Sequence, residues 1–262
     1  MLLRVVGALS VAILVVVVAA LYALRPEPLA SLGLLFPILT SVFITSTSLV
    51  VAYVAVRAYS REGLHSVLFL GCGALVFGCA SLVAAMYLGS EGQNFSATVL
   101  ATGAELSGVF HLVCASLTYR GDAPKEGGRR RPALWVSLAS LAVVLLVAAA
   151  VGGALPTFYA VGVGTTILDQ VVLGMAALTF ASSAAVVFVV SSRSAVLRWY
   201  SLALAATALG LVGIAFSNGE TSALSMRAGW ATLYLGGVLL ASSVLSAERL
   251  SRIPSGRDAS PA

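Results

Sequence analysis

Long apolar runs separated by short polar turns fill almost the whole chain. Eight of them are close to 20 residues long: Val5 to Leu24, Pro37 to Val56, Ser66 to Leu88, Ala97 to Tyr119, Ala133 to Ala154, Gln170 to Val190, Tyr200 to Phe216 and Ala228 to Ser246. A hydrocarbon core about 30 Å thick takes about 20 apolar residues per helical crossing. In lipid the backbone must satisfy its own hydrogen bonds, so each run predicts a helix. Strands of a membrane barrel would alternate apolar and polar positions, and these runs do not. The expected fold is all-α, a polytopic transmembrane helical bundle of about eight spans.

Composition agrees. Hydrophobic residues make up 60% of the chain and charged residues 10%, with a mean hydropathy of +1.03. Water-soluble domains carry about 25% charged residues, so that class is excluded. The first run has a second reading. Met1 to Arg4, the apolar stretch and the small residues around Ala23 also fit a secretory signal peptide, although a signal core is usually about 7–15 residues. A retained helix is the better reading. If the segment is cleaved, seven spans remain.

The cations orient the bundle. Thirteen of the fifteen fall on one side of an eight-span arrangement: Arg4, Arg57, Arg61, Arg120, Lys125, Arg129, Arg130, Arg131, Arg193, Arg198, Arg249, Arg252 and Arg257. Arg25 and Arg227 fall on the other. By the positive-inside rule this predicts a multi-pass cell-membrane protein with both termini cytoplasmic. The net charge of +5 then needs no nucleic acid to explain it. The Arg129–Arg131 cluster also suits anionic headgroups, and the bilayer is the expected partner.

The longest polar interruption, Arg120 to Pro132, divides the chain into two groups of four spans. Such halves would share one orientation, as in a parallel repeat. The expected organisation is a first helix with its outer loop over 1–35, a seven-helix bundle over 36–247 and a short cytoplasmic tail over 248–262. Glycines within spans, including Gly71, Gly73, Gly78, Gly236 and Gly237, predict close helix packing.

Few residues offer chemistry. Glu105 is the one carboxylate well inside a span, a placement costing on the order of 3 kcal/mol on insertion scales. It suits a proton, ion or ligand site, or a hydrogen bond to a neighbouring helix. His111 lies about 120° around the same helix and about 9 Å along it, so the two are not a ready-made acid–base pair. Ser107, His111, Cys114 and Thr118 share one helical face. Cys72 and Cys114 fall at similar expected depth, which makes a soft-metal site conceivable. No metal-ligand spacing accompanies them, and no metal is expected. Asp169 and Gln170 open the sixth span, where a carboxylate can cap free amides or line an outer pocket. Asn94-Phe95-Ser96 matches a glycosylation acceptor.

No cofactor is expected. Only His65 and His111 could ligate a haem, and His65 sits at the margin of its span. The sole lysine, Lys125, lies in a loop and cannot offer a retinal Schiff base from a helix. Two histidines cannot supply a convincing zinc-hydrolase set. Gly162-Val163-Gly164 follows no strand and is not read as a nucleotide loop.

Three stretches carry a family resemblance. Pro156-Thr157-Phe158 followed by Gly162-Val163-Gly164-Thr165-Thr166-Ile167-Leu168, Phe69-Leu70-Gly71 with Gly78, and Ala228-Gly229-Trp230 through Tyr234-Leu235-Gly236-Gly237 resemble multi-helix membrane-associated sensor (MASE-type) domains. Those are input regions of histidine kinases and diguanylate cyclases. The resemblance covers residues 36 to 247 and implies a signal-input bundle without catalytic activity. It transfers no binding residue. In such proteins the last helix continues into an output module, whereas here Pro254 interrupts it, which implies action through a separate signalling protein. A homo-oligomer is compatible with this reading. The alternative expectation is a small transporter or channel subunit using Glu105.

Overall fold

A computed structural model describes residues 34–88, 92–122, 132–160, 164–191, 194–217 and 222–251. The first predicted span, the Arg129–Arg131 cluster, Gly162, Val163 and the tail beyond 251 lie outside them. Seven helices among the described residues are long and apolar enough to cross a membrane. They are α1 (Leu35–Glu62), α2 (His65–Met86), α3 (Gln93–Arg120), α4 (Pro132–Val151), α5 (Ile167–Val190), α6 (Ala195–Ala215) and α7 (Ser222–Ser251). The chain is an all-α polytopic bundle, as the apolar runs predict.

Successive helices run in opposite directions. The ends of α1, α3, α5 and α7 and the starts of α2, α4 and α6 therefore gather at one face, the arginine face. The tight turn from α1 to α2 is made at Gly63, whose φ of 73° lies in the left-handed region. Its amide donates to Tyr59 O at 2.8 Å, a common way for a helix to end. Gly121 ends α3 in the same way, with φ 75°. That turn delivers Asp122 to α2, where its Oδ2 accepts from the Ser66 amide at 2.7 Å. The residue before α2, Leu64, supplies no side-chain cap. A carboxylate from another helix end takes that place, satisfying an orphan amide and favouring the helix dipole.

Helices α2, α3, α5, α6 and α7 form the centre, with α1 packed across α2 and α7. The main core joins Phe77, Ala104, Cys114, Phe180, Tyr200 and Tyr234. Small residues set the spacing. At Gly78 an added Cβ would stand 2.5 Å from the Ser48 Cβ of α1. At Gly236 it would stand 2.7 Å from Thr207 Oγ1 of α6, and at Gly237 it would strike the Phe43 carbonyl of α1. Opposite Gly237, residues Ser41–Thr45 of α1 form a π-helical turn, and Ser46 Oγ donates to Ser41 O at 2.8 Å. Gly237 thus packs against the one stretch of α1 that departs from α geometry among the described residues, while Gly236 packs against α6, an arrangement read in the sequence only as close packing.

Helix α4 is peripheral. It contributes Ala139 and Val143 to a smaller cluster with Tyr59, Leu68, Cys72 and Val76. It exposes Leu138, Leu141, Val144 and Leu145, a face suited to lipid. At the opposite end of the bundle from the arginine face, the α4–α5 connection forms a two-stranded hairpin. Strands β1 (Tyr159–Ala160) and β2 (Gly164–Thr165) pair antiparallel. Asn94, in the first turn of α3, pins this hairpin, its Oδ1 accepting from the amides of Phe158 at 2.8 Å and Tyr159 at 2.9 Å. Ser96 is buried and donates to Ala84 O at 2.7 Å. Both polar residues of the acceptor tripeptide are therefore engaged in folding contacts.

Candidate functional site

The polar interior of α3 converges on one residue of α6. His111 is 2% exposed, and its Nδ1 stands 2.8 Å from Tyr200 Oη. The same hydroxyl donates to Cys114 Sγ at 3.6 Å. With a single phenolic proton, both contacts are satisfied when His111 Nδ1–H donates to Tyr200 and Tyr200 donates to Cys114. His111 is also held by the Phe180 ring, 5.4 Å away between centroids. Helix α2 approaches it at Gly73, where a Cβ would lie 3.0 Å from Nε2. On the same face Ser107 donates to Gly73 O at 2.8 Å, and Thr118 donates to Cys114 O at 2.9 Å. The stripe read along α3 is real, and its inter-helix partners lie on α2 and α6.

Two cavities flank this group. A small one of about 20 Å³ is lined by His111, Ser48, Thr207, Phe77, Phe180 and Gly236, among others. It lies against the π-helical turn through Ile44 and against the glycine pair. The second holds about 230 Å³ between α1, α2, α6 and α7. Val54, Leu70, Leu197 and Val244 form its apolar wall, and Tyr200 and Ser243 are its buried polar residues. Arg57, Arg61 and Glu62 line it as well. The exposed Arg61 and Glu62 mark its mouth at the arginine face. Tyr200 thus belongs to the wall of the larger cavity and to the hydrogen-bonded core at His111.

The other candidates lie elsewhere. Glu105 is partly buried, and its Oε2 has no hydrogen-bond partner. At 100° per residue it sits about 60° from Gly108, which abuts Thr179 of α5, and about 40° from Val109, which is 44% exposed. It therefore lies on the flank of α3 between the α5 contact and the outer surface. Asp169 is buried, and its Oδ1 has no partner. Helix α5 begins at Ile167, so Asp169 is its third residue. The cap is Thr166, whose Oγ1 accepts from the Asp169 amide at 3.3 Å. Gln170 lines an open apolar groove of about 650 Å³ between α5 and α6, together with Gly174, Leu178, Ala205 and Leu209. Phe180, the α5 residue touching His111, is about 16 Å further along that helix than Asp169. The four residues are not brought together: His111 alone of them lines the small central cavity.

Cys72 and Cys114 do not converge. Cys72 packs with Leu68, Val76 and Val143, whereas Cys114 lies in the main core against Tyr200. Among the described residues no three His, Cys, Asp or Glu side chains are grouped as a cation site would need.

Tyr200 enters the sequence reading only as the first residue of a span. A tyrosine in an apolar run is a usable signal, because a buried phenol finds a partner for its hydroxyl. Arg57 and Arg61 read there only as orientation determinants. No family model, curated protein or solved structure matches the chain.

Proposed function

We propose that this chain is a multi-pass membrane sensor without catalytic activity of its own, whose bundle responds to a ligand held at the arginine face and acts through a signalling partner. One observation carries the reading: Tyr200 lines the 230 Å³ cavity and also hydrogen-bonds His111 in the sealed core. A ligand against Tyr200 meets a side chain whose displacement breaks the His111 and Cys114 contacts. The last helix borders the same cavity through Ser243, Val244 and Ala247, which supplies a route from ligand to output. The resemblance to sensor input domains points the same way. With the arginine face cytoplasmic, as the positive-inside rule implies, the cavity opens toward the cytosol and α7 ends there.

Thiol chemistry tests this directly. In a Cys72→Ala/Cys79→Ala background, Cys114 reports on the Tyr200 contact through its alkylation rate by a membrane-permeant maleimide. Loading from a native lipid extract should change that rate, relative to protein in a neutral synthetic lipid. An unchanged rate would remove the coupling on which the sensor reading stands.

A second reading, transport, is favoured by the partnerless Glu105 Oε2. Reconstituted vesicles decide it. Solute or ion flux that is abolished by Glu105→Gln would replace the sensor reading.

A further inference from the structure

The cavity at the arginine face has a chemical polarity that specifies its occupant. Its charged groups are confined to the helix ends: Arg57, Arg61 and Glu62 line it there, two cations against one anion. Arg57 is already engaged within the protein, while Arg61 is exposed. Val54 lies about 12 Å deeper along α1 than Glu62. The remaining wall is apolar apart from two hydroxyls, and both are already bound. Tyr200 is committed to Cys114 and His111, and Ser243 donates to Leu240 O at 2.8 Å. Nothing deep in the cavity asks for a polar ligand group. Its volume of about 230 Å³ is below the roughly 300–1,000 Å³ of sites for drug-sized molecules. A slender hydrocarbon chain fits that description, and a bulky ring system does not.

We infer that this cavity binds an anionic amphiphile, with one hydrocarbon chain against Val54, Leu70, Leu197 and Val244 and its acidic headgroup at the Arg61 guanidinium. This deepens the sensor reading, and the cavity assignment rests on it only for its consequence, not for its binding chemistry. Arginine suits the task because its planar fork meets a carboxylate or phosphate through two hydrogen bonds. Long side chains at a helix end also keep their charge at the membrane surface while their stems cover apolar wall. With two guanidiniums against one carboxylate at the mouth, the net positive charge disfavours a cationic headgroup. The same chemistry could come from a free long-chain acid or from an anionic lipid of the bilayer.

The test uses the full chain in nanodiscs of neutral phosphatidylcholine, with a radiolabelled long-chain carboxylate and its methyl ester as probes. The carboxylate should bind saturably. The ester and the Arg61→Gln variant should each weaken binding by about tenfold or more, the loss expected for one charge-assisted contact. Leu197→Trp, which fills the cavity, should remove binding, and Val244→Phe repeats that test should the first variant misfold. Equal binding of acid and ester, or an unaffected Arg61→Gln, overturns the headgroup assignment. A second arm purifies the protein from native membrane and identifies retained lipid by mass spectrometry. Retention of an anionic phospholipid that Arg61→Gln and Leu197→Trp release makes the bilayer the source. Carboxylate binding without such retention makes the source a free acid. Absence of both overturns the site. Carboxylate binding that leaves Cys114 alkylation unchanged retains the site and sinks the sensor reading instead.

Discussion

Tyr200 Oη meets His111 Nδ1 at 2.8 Å across 89 residues of chain, joining the arginine-face end of α6 to the middle of the bundle. Polar contacts between helices in lipid average only about 0.6 kcal/mol in double-mutant cycles, although an orphaned buried group costs about 1–3 kcal/mol. Tyr200→Phe keeps the ring in the core and strands the His111 nitrogen. It should lower stability by about 1 kcal/mol. A cycle with His111→Phe should show coupling of about 0.5–2 kcal/mol. Thermal or denaturant unfolding in one detergent, followed by near-ultraviolet circular dichroism, measures both. Strict additivity would mean that the pair does not interact.

Glycine positions divide by what faces them. Gly237→Ala drives a Cβ into the Phe43 carbonyl beside the π-helical turn, and neither backbone can yield cheaply. A cost of about 1–3 kcal/mol is expected from overpacking. Gly174, two turns into α5, has nothing within 4 Å of an added Cβ. There Gly174→Ala should be neutral or stabilising by up to about 1 kcal/mol through helix propensity. Comparing the two unfolding midpoints separates packing from propensity, and equal effects would contradict the close approach at Gly237.

Asn94 and Asp122 do their work outside their own helices. Asn94→Ala should free the Phe158 and Tyr159 amides without loosening the α3 ladder. Hydrogen exchange should rise at residues 158–160 and 164–165 while residues 100–115 stay protected. Asp122→Ala removes the acceptor for the Ser66 amide and should cost about 0.5–2 kcal/mol, as for the loss of an N-cap. Asp122→Asn, which keeps an acceptor oxygen, should recover most of it. If both Asp122 variants behave alike, charge against the α2 dipole matters more than the hydrogen bond.

These contacts mark where sequence reasoning ends. Periodic local signals were readable: the seven described helices follow directly from apolar length, and Gly71, Gly78, Gly236 and Gly237 do pack against neighbouring helices. The polar stripe on α3 was also visible, because helical spacing alone places His111 and Cys114 on one face. What could not be read was which helix stands opposite, since in uniformly apolar spans every face looks equally buried. Tyr200 lies in a different span from His111, and nothing local says that α6 rather than α4 supplies its partner. The hairpin is not legible in the sequence because two residues per strand leave no alternation to detect. Asp169 shows the reverse error: its place near a helix start suggested a cap, but α5 begins earlier and Thr166 takes that role.

Glu105 offers the sharpest contrast between a structural and a working carboxylate. Its Oε2 is buried without a hydrogen-bond partner, and its side of α3 faces the gap between the Thr179 contact and the exposed Val109. An acid held there for architecture alone should be paired, because burying an unsatisfied polar group costs about 1–3 kcal/mol on mutational evidence. Glu105→Leu removes that penalty and replaces it with a chain compatible with lipid, so the unfolding midpoint should rise, by about 1–3 kcal/mol in free energy. A rise with Cys114 alkylation still responsive to native lipid would set Glu105 apart from the Tyr200 site. A fall in stability would instead show that the carboxyl holds a partner in the membrane, and that its retention is structural.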